Sequence, residues 1–294
     1  MTTDVVHSDA VDPNTVSPDS FDTTSEKSEN ESDLAEDPDQ DETQQAARTD
    51  GVEAPDSEEL NERGEIRLPE GIDYYNLDRD VRASLRSLPK GLAESVGKRI
   101  LAAGELLDVD PRQALAHALV ARRMTSRIAM VREAAGIAAY RAGEWQMAIG
   151  ELRTAQRLSG NRNHVAMIAD SERALGRPER AIDAYRELDP KTVDPEVRIE
   201  LLIVAAGARR DLDQTAAAVA MLQVPELKSQ ESWSPRLWYA YADALAEQGR
   251  TAEAREWFTK VTEVDPDDEL GAAERLLDLD GVAWVAEPDE SQDG

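Results

Sequence analysis

One interval constrains this chain more than any other feature. A small residue with a larger apolar one four positions later recurs along it. Ala148 precedes Leu152, Ala181 precedes Tyr185 and Ala254 precedes Phe258. Weaker copies are Ala114 with Ala118 and Thr215 with Val219. Successive small residues lie 34, 33, 34 and 39 positions apart. Gly143, Gly176 and Gly249 each stand five residues before Ala148, Ala181 and Ala254. Glycine at that point ends one helix and lets the chain turn through φ > 0. The small residue lets a second helix cross the first closely, and the larger one fills the groove beside it. A helical pair of this length cannot bury its apolar face alone, so copies at this interval are expected to stack.

The pattern between these landmarks is helical throughout. Leu77, Val81, Leu85 and Leu88 recur three or four apart, the spacing of one helix face. Pro89 is expected to end that short helix and Gly91 to separate it from the next. The apolar run LLIVAA at residues 201–206 sits inside a longer helical window, and no segment reads as a strand.

The last unit, RLWYAYADALAEQGRTAEAREWFTKVTEVDPDD, resembles the tetratricopeptide repeat, whose pattern is W-x₂-L-G-x₂-Y, then A-x₃-F, then P. Trp238, Tyr241, Ala242 and Leu245 fall at its first four positions, with Gly249 at the turn. Ala254, Phe258 and Pro266 complete it. A second unit matches through Gly136, Gly143, Ala148, Leu152 and Ala155, with its aromatic, Tyr140, one place late. A third matches through Ile168, Ala169, Gly176, Ala181 and Tyr185, with Glu172 where the aromatic belongs. Two further units are degenerate. One places Pro111 near its turn, the other Arg209, Arg210 and Asp211, and an insertion, LKSQESWSPR, precedes the last unit.

The resemblance implies an all-α helical-hairpin solenoid of about five helix pairs, with units near 92–126, 129–161, 162–195, 196–228 and 235–268. Residues 77–88 and 269–279 are expected to cap its ends. It also implies a non-catalytic scaffold that holds a partner peptide or helix in a concave face lined by the first helices. Carried onto this sequence, that face comprises Arg99, Glu133, Tyr140, Arg141, Asp170, Arg173, Arg236, Tyr239 and Asp243. The best-known relatives grip chaperone tails with a lysine and asparagine clamp. Glu133 and Ile137 stand at its first pair here, so chaperone-tail binding is not expected.

Charge divides the chain into three. Residues 1–60 carry 19 acidic and 2 basic side chains, and residues 265–294 carry 11 and 1. The middle, residues 61–264, is balanced at 31 against 30. Residues 1–68 show no apolar period and are expected to stay disordered, as is the acidic end from residue 280. That end holds one apolar motif, GVAWVA, whose Trp284 is expected to fold back on the last pair. The N-terminal tail is read first as solubilising. A contact with an arginine-lined face, released by a partner, is the sharper alternative. A formal net charge of −28 repels nucleic acid at long range. Arg122, Arg123, Arg127 and Arg132 nevertheless keep a nucleic-acid or ribosome-associated role as the alternative function.

Several chemistries are excluded or unmarked. There is no cysteine, hence no thiol catalysis, disulfide or cysteine-ligated metal. His7, His117 and His164 are the only histidines, and the last two are read as packing or surface residues. The stretch GLAESVGKR, Gly91 to Arg99, mimics a phosphate loop but has five residues between its glycines and ends in arginine. Asp37, Asp39 and Asp41 mimic a calcium loop that lacks its glycine and closing glutamate. No cofactor, metal or membrane span is expected. The first ten residues, MTTDVVHSDA, show no leader, so the expected compartment is the cytoplasm.

Overall fold

A computed structural model describes residues 66–281, all within one compact unit. The acidic tail up to residue 65 and the segment from residue 282, with Trp284, lie outside the described residues. Twelve α-helices account for most of what is described, and the described residues contain no β-strand beyond an isolated bridge at Ile66.

Ten of the helices form five consecutive pairs. They are α2 (Lys90–Leu106) with α3 (Pro111–Met124), α4 (Ala129–Arg141) with α5 (Trp145–Ser159), and α6 (Val165–Ala174) with α7 (Pro178–Glu187). Then come α8 (Pro195–Asp211) with α9 (Thr215–Leu222), and α10 (Ser234–Glu247) with α11 (Thr251–Thr262). Each helix packs on the next along the chain. The first helices also touch one another, α2 on α4, α6 on α8 and α8 on α10.

Four of the five pairs are joined by the same turn. The N–H of Gly143 donates to the Tyr140 carbonyl (3.1 Å) and that of Glu144 to the Ala139 carbonyl (2.8 Å). The pattern repeats at Gly176 and Arg177 (2.9 and 3.0 Å), and at Gly249 and Arg250 (2.9 and 2.9 Å). These two bonds close the end of the first helix around a residue with positive φ. The three glycines have φ of 77°, 74° and 80°. In the fourth pair the turn residue is Asp213, at φ 57°, and its bonds to Arg210 and those of Gln214 to Arg209 are both 2.9 Å. Aspartate tolerates the left-handed region better than most side chains, so the turn survives without glycine.

That turn corrects the register expected for the fourth unit. Arg209, Arg210 and Asp211 belong to the last turn of α8, not to the loop. Five residues after Asp213 comes Ala218, and four later Leu222, both buried. Thr215 and Val219 are therefore not the repeat pair. The small residue is the fourth of each second helix: Ala114, Ala148, Ala181, Ala218 and Ala254, all fully buried. A small residue also recurs seven before each of the four turn residues, as Gly136, Ala169, Ala206 and Ala242, and all four are buried. At Gly136 an added Cβ would lie 2.6 Å from Leu152 Cδ2 and 3.1 Å from the Leu152 backbone nitrogen.

The first pair turns differently. The N–H groups of Val109 and Asp110 both donate to Leu106, and the Asp110 carboxylate caps α3 by accepting from the Gln113 N–H at 3.0 Å. Pro111, Pro178 and Pro195 each open a helix, where the missing N–H costs nothing. Upstream, the expected helix over 77–88 shrinks to α1 (Arg79–Ser84), preceded by a 3-10 turn at Tyr74–Asn76. Pro89 caps the start of α2, so Gly91 lies inside that helix instead of separating two. The insertion before α10 is packed: a 3-10 turn, Pro225–Lys228, brings Leu227 and Trp233 into the core, and Trp238 Nε1 donates to the Leu227 carbonyl at 3.0 Å. Phe258 is fully buried, Tyr185 is half-buried and Pro266 follows α11 on the surface. The last helix, α12 (Ala272–Leu279), packs on α11.

Two glycine substitutions with opposite signs test the close approach. Gly136→Ala should lower unfolding free energy by about 1–3 kcal/mol through overpacking against Leu152. Gly150→Ala, in the middle of α5 with nothing within 4 Å of its added Cβ, should raise it by up to about 1 kcal/mol. Urea titration of the purified protein reads both.

Candidate functional site

The first helices α2, α4, α6, α8 and α10 present one side chain after another along a common face, so residues are best compared by their distance from the turn residue. Three places before it stand Tyr140, Arg173 and Arg210. Each reaches the next first helix six places before that helix's own turn residue. Tyr140 donates its hydroxyl to Asp170 Oδ2 at 2.7 Å. Arg210 Nη1 pairs with Asp243 Oδ2 at 2.7 Å. Arg173 crosses Gly207, whose added Cβ would lie 2.8 Å from Arg173 Nη1, and pairs with Asp211, Nε to Oδ2 at 2.5 Å and Nη2 to Oδ1 at 3.2 Å. Glycine at 207 gives the guanidinium its path.

Further pairs extend this ladder. Arg141 pairs with Asp108, Arg173 also holds Asp170 at 3.1 Å, and Arg210 also pairs with Glu247. In the fifth pair Ala246 occupies the bridging position and cannot reach forward. There α12 supplies Arg275, which returns to Asp243 at 2.5 Å. Hydrogen bonding to Asp211 raises the Arg173 pKa further, and burial followed by the Asp170 bond raises that of the Tyr140 hydroxyl.

The remaining expected residues are also engaged. Glu133 Oε1 lies 2.8 Å from His164 Nε2, and Arg236 holds Glu200 Oε2 at 2.5 Å. Burial pushes the Glu200 carboxyl up while Arg236 opposes it, and Glu200 Oε1 finds no hydrogen-bond partner among the described residues. The Tyr239 ring stands edge-on to Phe258, 5.2 Å between centroids. Arg99 departs from the expected outward face. It is only 5% exposed, and its Nη1 donates to the Ile66 carbonyl and lies 3.0 Å from His117 Nδ1. His117 is fully buried, and burial, then the Arg99 charge, lower its pKa to about 4.

Sequence reasoning missed the partners Asp108, His164, Glu200, Arg210, Asp211, Glu247 and Arg275. The signal was the shared distance of Tyr140, Arg173 and Arg210 from the turn, hidden while Asp213 went unrecognised as a turn residue. The basic stretch is likewise half committed. Arg122 and Arg132 both bind the buried carboxylate of Glu151, while Arg123 and Arg127 are exposed. Glu172, where the repeat wants an aromatic, is buried between Arg153 (2.8 Å) and Arg177 (3.0 Å).

About two helical turns from the ladder's bridging residues, towards the helix N-termini, the face changes character. Two adjacent positions on α6, α8 and α10 hold Ala166 and Met167, Ile203 and Val204, and Tyr239 and Ala240, all half-buried. No helix among the described residues is long and apolar enough to cross a membrane.

Stacked helical pairs with a shared turn and a shared small residue define a helical-repeat protein. Its fifth pair is a tetratricopeptide repeat: the tetratricopeptide repeat family model matches residues 235–268. Solved structures similar to this chain include that of PilF from Pseudomonas aeruginosa, at 16% identity and a TM-score of 0.45, covering 66% of this chain and 96% of that one. Another is YrrB, described as a TPR protein with an unusual peptide-binding site, at 17% identity and a TM-score of 0.41, covering 66% and 98%. Comparison with curated proteins gives no match.

Two measurements probe these contacts. A double-mutant cycle on Arg173→Ala and Asp211→Ala should give a coupling of about 1 kcal/mol in urea unfolding, reduced by added salt. His117 stays neutral in the folded state down to about pH 4, whereas the unfolded ring takes a proton near its ordinary value. Its contribution is therefore complete above that value and lost as pH falls. By pH 5 the loss should be on the order of 2 kcal/mol. The stability gap between wild type and His117→Gln should shrink by that amount from pH 7 to pH 5, and a constant gap would contradict it.

Proposed function

We propose that this protein is a non-catalytic scaffold that holds a segment of a partner protein against the first-helix face of α6, α8 and α10. The half-buried apolar stripe from Ala166 to Ala240, beside charges that already pair with one another, carries the proposal. Such a surface favours an apolar or amphipathic segment. Paired rim charges offer orientation more than long-range attraction, so affinity is expected to depend weakly on salt. The repeat fold itself supports protein binding as the general role, since a stack of helical pairs presents extended side-chain surface.

The alternative, a nucleic-acid partner on the basic stretch, gains little from the pairing of Arg122 and Arg132 with Glu151. Binding that falls steeply with salt and disappears on charge reversal at Arg123 and Arg127 would favour it.

A photo-crosslinking residue placed at Met167 or Ile203 should trap a partner protein in the native cell. The same group at Leu158, exposed on the second helix α5, should not. Equal adducts from both faces, or adducts from Leu158 alone, would overturn the assignment of the face.

A further inference from the structure

Arg99 occupies the same position in its helix as Glu133, Ala166, Ile203 and Tyr239 occupy in theirs, three residues before the small residue of the crossing. At the other four places the side chain is half-buried. Arg99 is buried because the chain's own N-terminal segment lies over it. One guanidinium nitrogen donates forward to the Ile66 carbonyl and sits 3.0 Å from the ring nitrogen Nδ1 of His117 behind it. Ile66 itself is 5% exposed. The site thus takes a main-chain carbonyl, which any residue supplies, from a residue whose aliphatic side chain is buried.

The segment has two parts with different fits. Tyr74 and Leu77 pack on Gly97 so closely that an added Cβ would lie 2.5 Å from Tyr74 Cδ2 and 2.7 Å from Leu77 Cδ1. That part is a fixed cap on α2. Ile66 accepts from the Arg99 guanidinium through its carbonyl and is buried. Between the two, Arg67, Leu68, Glu70, Gly71 and Asp73 are exposed, and Gly71 has φ 84°. An exposed connector with a left-handed glycine separates the tight anchor from Ile66.

We propose that the Arg99–His117 site is a binding site for a peptide main chain bearing an aliphatic side chain, filled in cis by Ile66, and that a segment of the same chemistry in trans competes for it. The strap is a built-in ligand at the N-terminal end of the first-helix face. The apolar stripe on α6, α8 and α10 is a separate surface, so either assignment can fail without the other.

The test uses the full-length protein and a fluorescein-labelled synthetic peptide, LNERGEIRLPEGID, residues 60–73. Wild type should bind the peptide weakly, because the site is occupied. Ile66→Asp places a charge in the buried position and should free the site, tightening peptide binding at least tenfold by fluorescence anisotropy. Adding Arg99→Gln to Ile66→Asp should abolish the gain. Because that double variant loses a buried group, a peptide with aspartate in place of its isoleucine serves as the second measurement. It should fail to bind the Ile66→Asp protein, whose fold is then not in question. No tightening in Ile66→Asp, or equal binding of the two peptides, would overturn the proposal.

Discussion

Each helical pair depends on a close crossing, and the crossing depends on the absence of side-chain bulk at one position. Ala114, Ala148, Ala181, Ala218 and Ala254 are each the fourth residue of a second helix, and each is fully buried. A larger side chain there would hold the two axes apart and leave the apolar residue one turn later without its groove. In four pairs the turn fixes where that residue arrives. Two hydrogen bonds around a left-handed residue always deliver the small one five places on, whether the turn residue is glycine or Asp213.

Stacking of the pairs then places successive first helices side by side, and their charges become partners. Tyr140, Arg173 and Arg210 bridge forward to the next helix because a fixed turn gives them the same height and direction. Such half-exposed pairs contribute little singly. As a ladder they tie neighbouring repeats together and leave little unpaired charge on that side of the face. What remains for recognition is the half-buried apolar stripe and, at the N-terminal end, the Arg99 site covered by Ile66.

Much of the fold was legible from residue spacing. The glycines 143, 176 and 249 and the alanines five places later marked three pairs directly. The fourth was misread by three residues, because Asp213 performs a glycine's task and the eye follows the glycine. The early helix was overextended, since leucines recurring at 77, 85 and 88 satisfy a helical period even when the chain between them bends. The candidate face was legible in which helices supply it, and not in its chemistry. Whether an arginine is open or paired depends on a carboxylate about 30 to 40 residues away, as with Arg173 and Asp211, and one-helix patterns do not carry that distance. Burial of Arg99 was invisible for the same reason: Ile66 covers it from 33 residues upstream.

The register of the fourth pair is where this structure departs most clearly from its sequence pattern. Thermal unfolding of Ala218→Leu and Thr215→Leu addresses it in one comparison. Ala218 is fully buried at the crossing, while Thr215 is half-buried at the helix start. A stack set by the turn and the residue five places beyond it predicts a large fall in the unfolding midpoint for Ala218→Leu and little change for Thr215→Leu. The opposite ranking would contradict it.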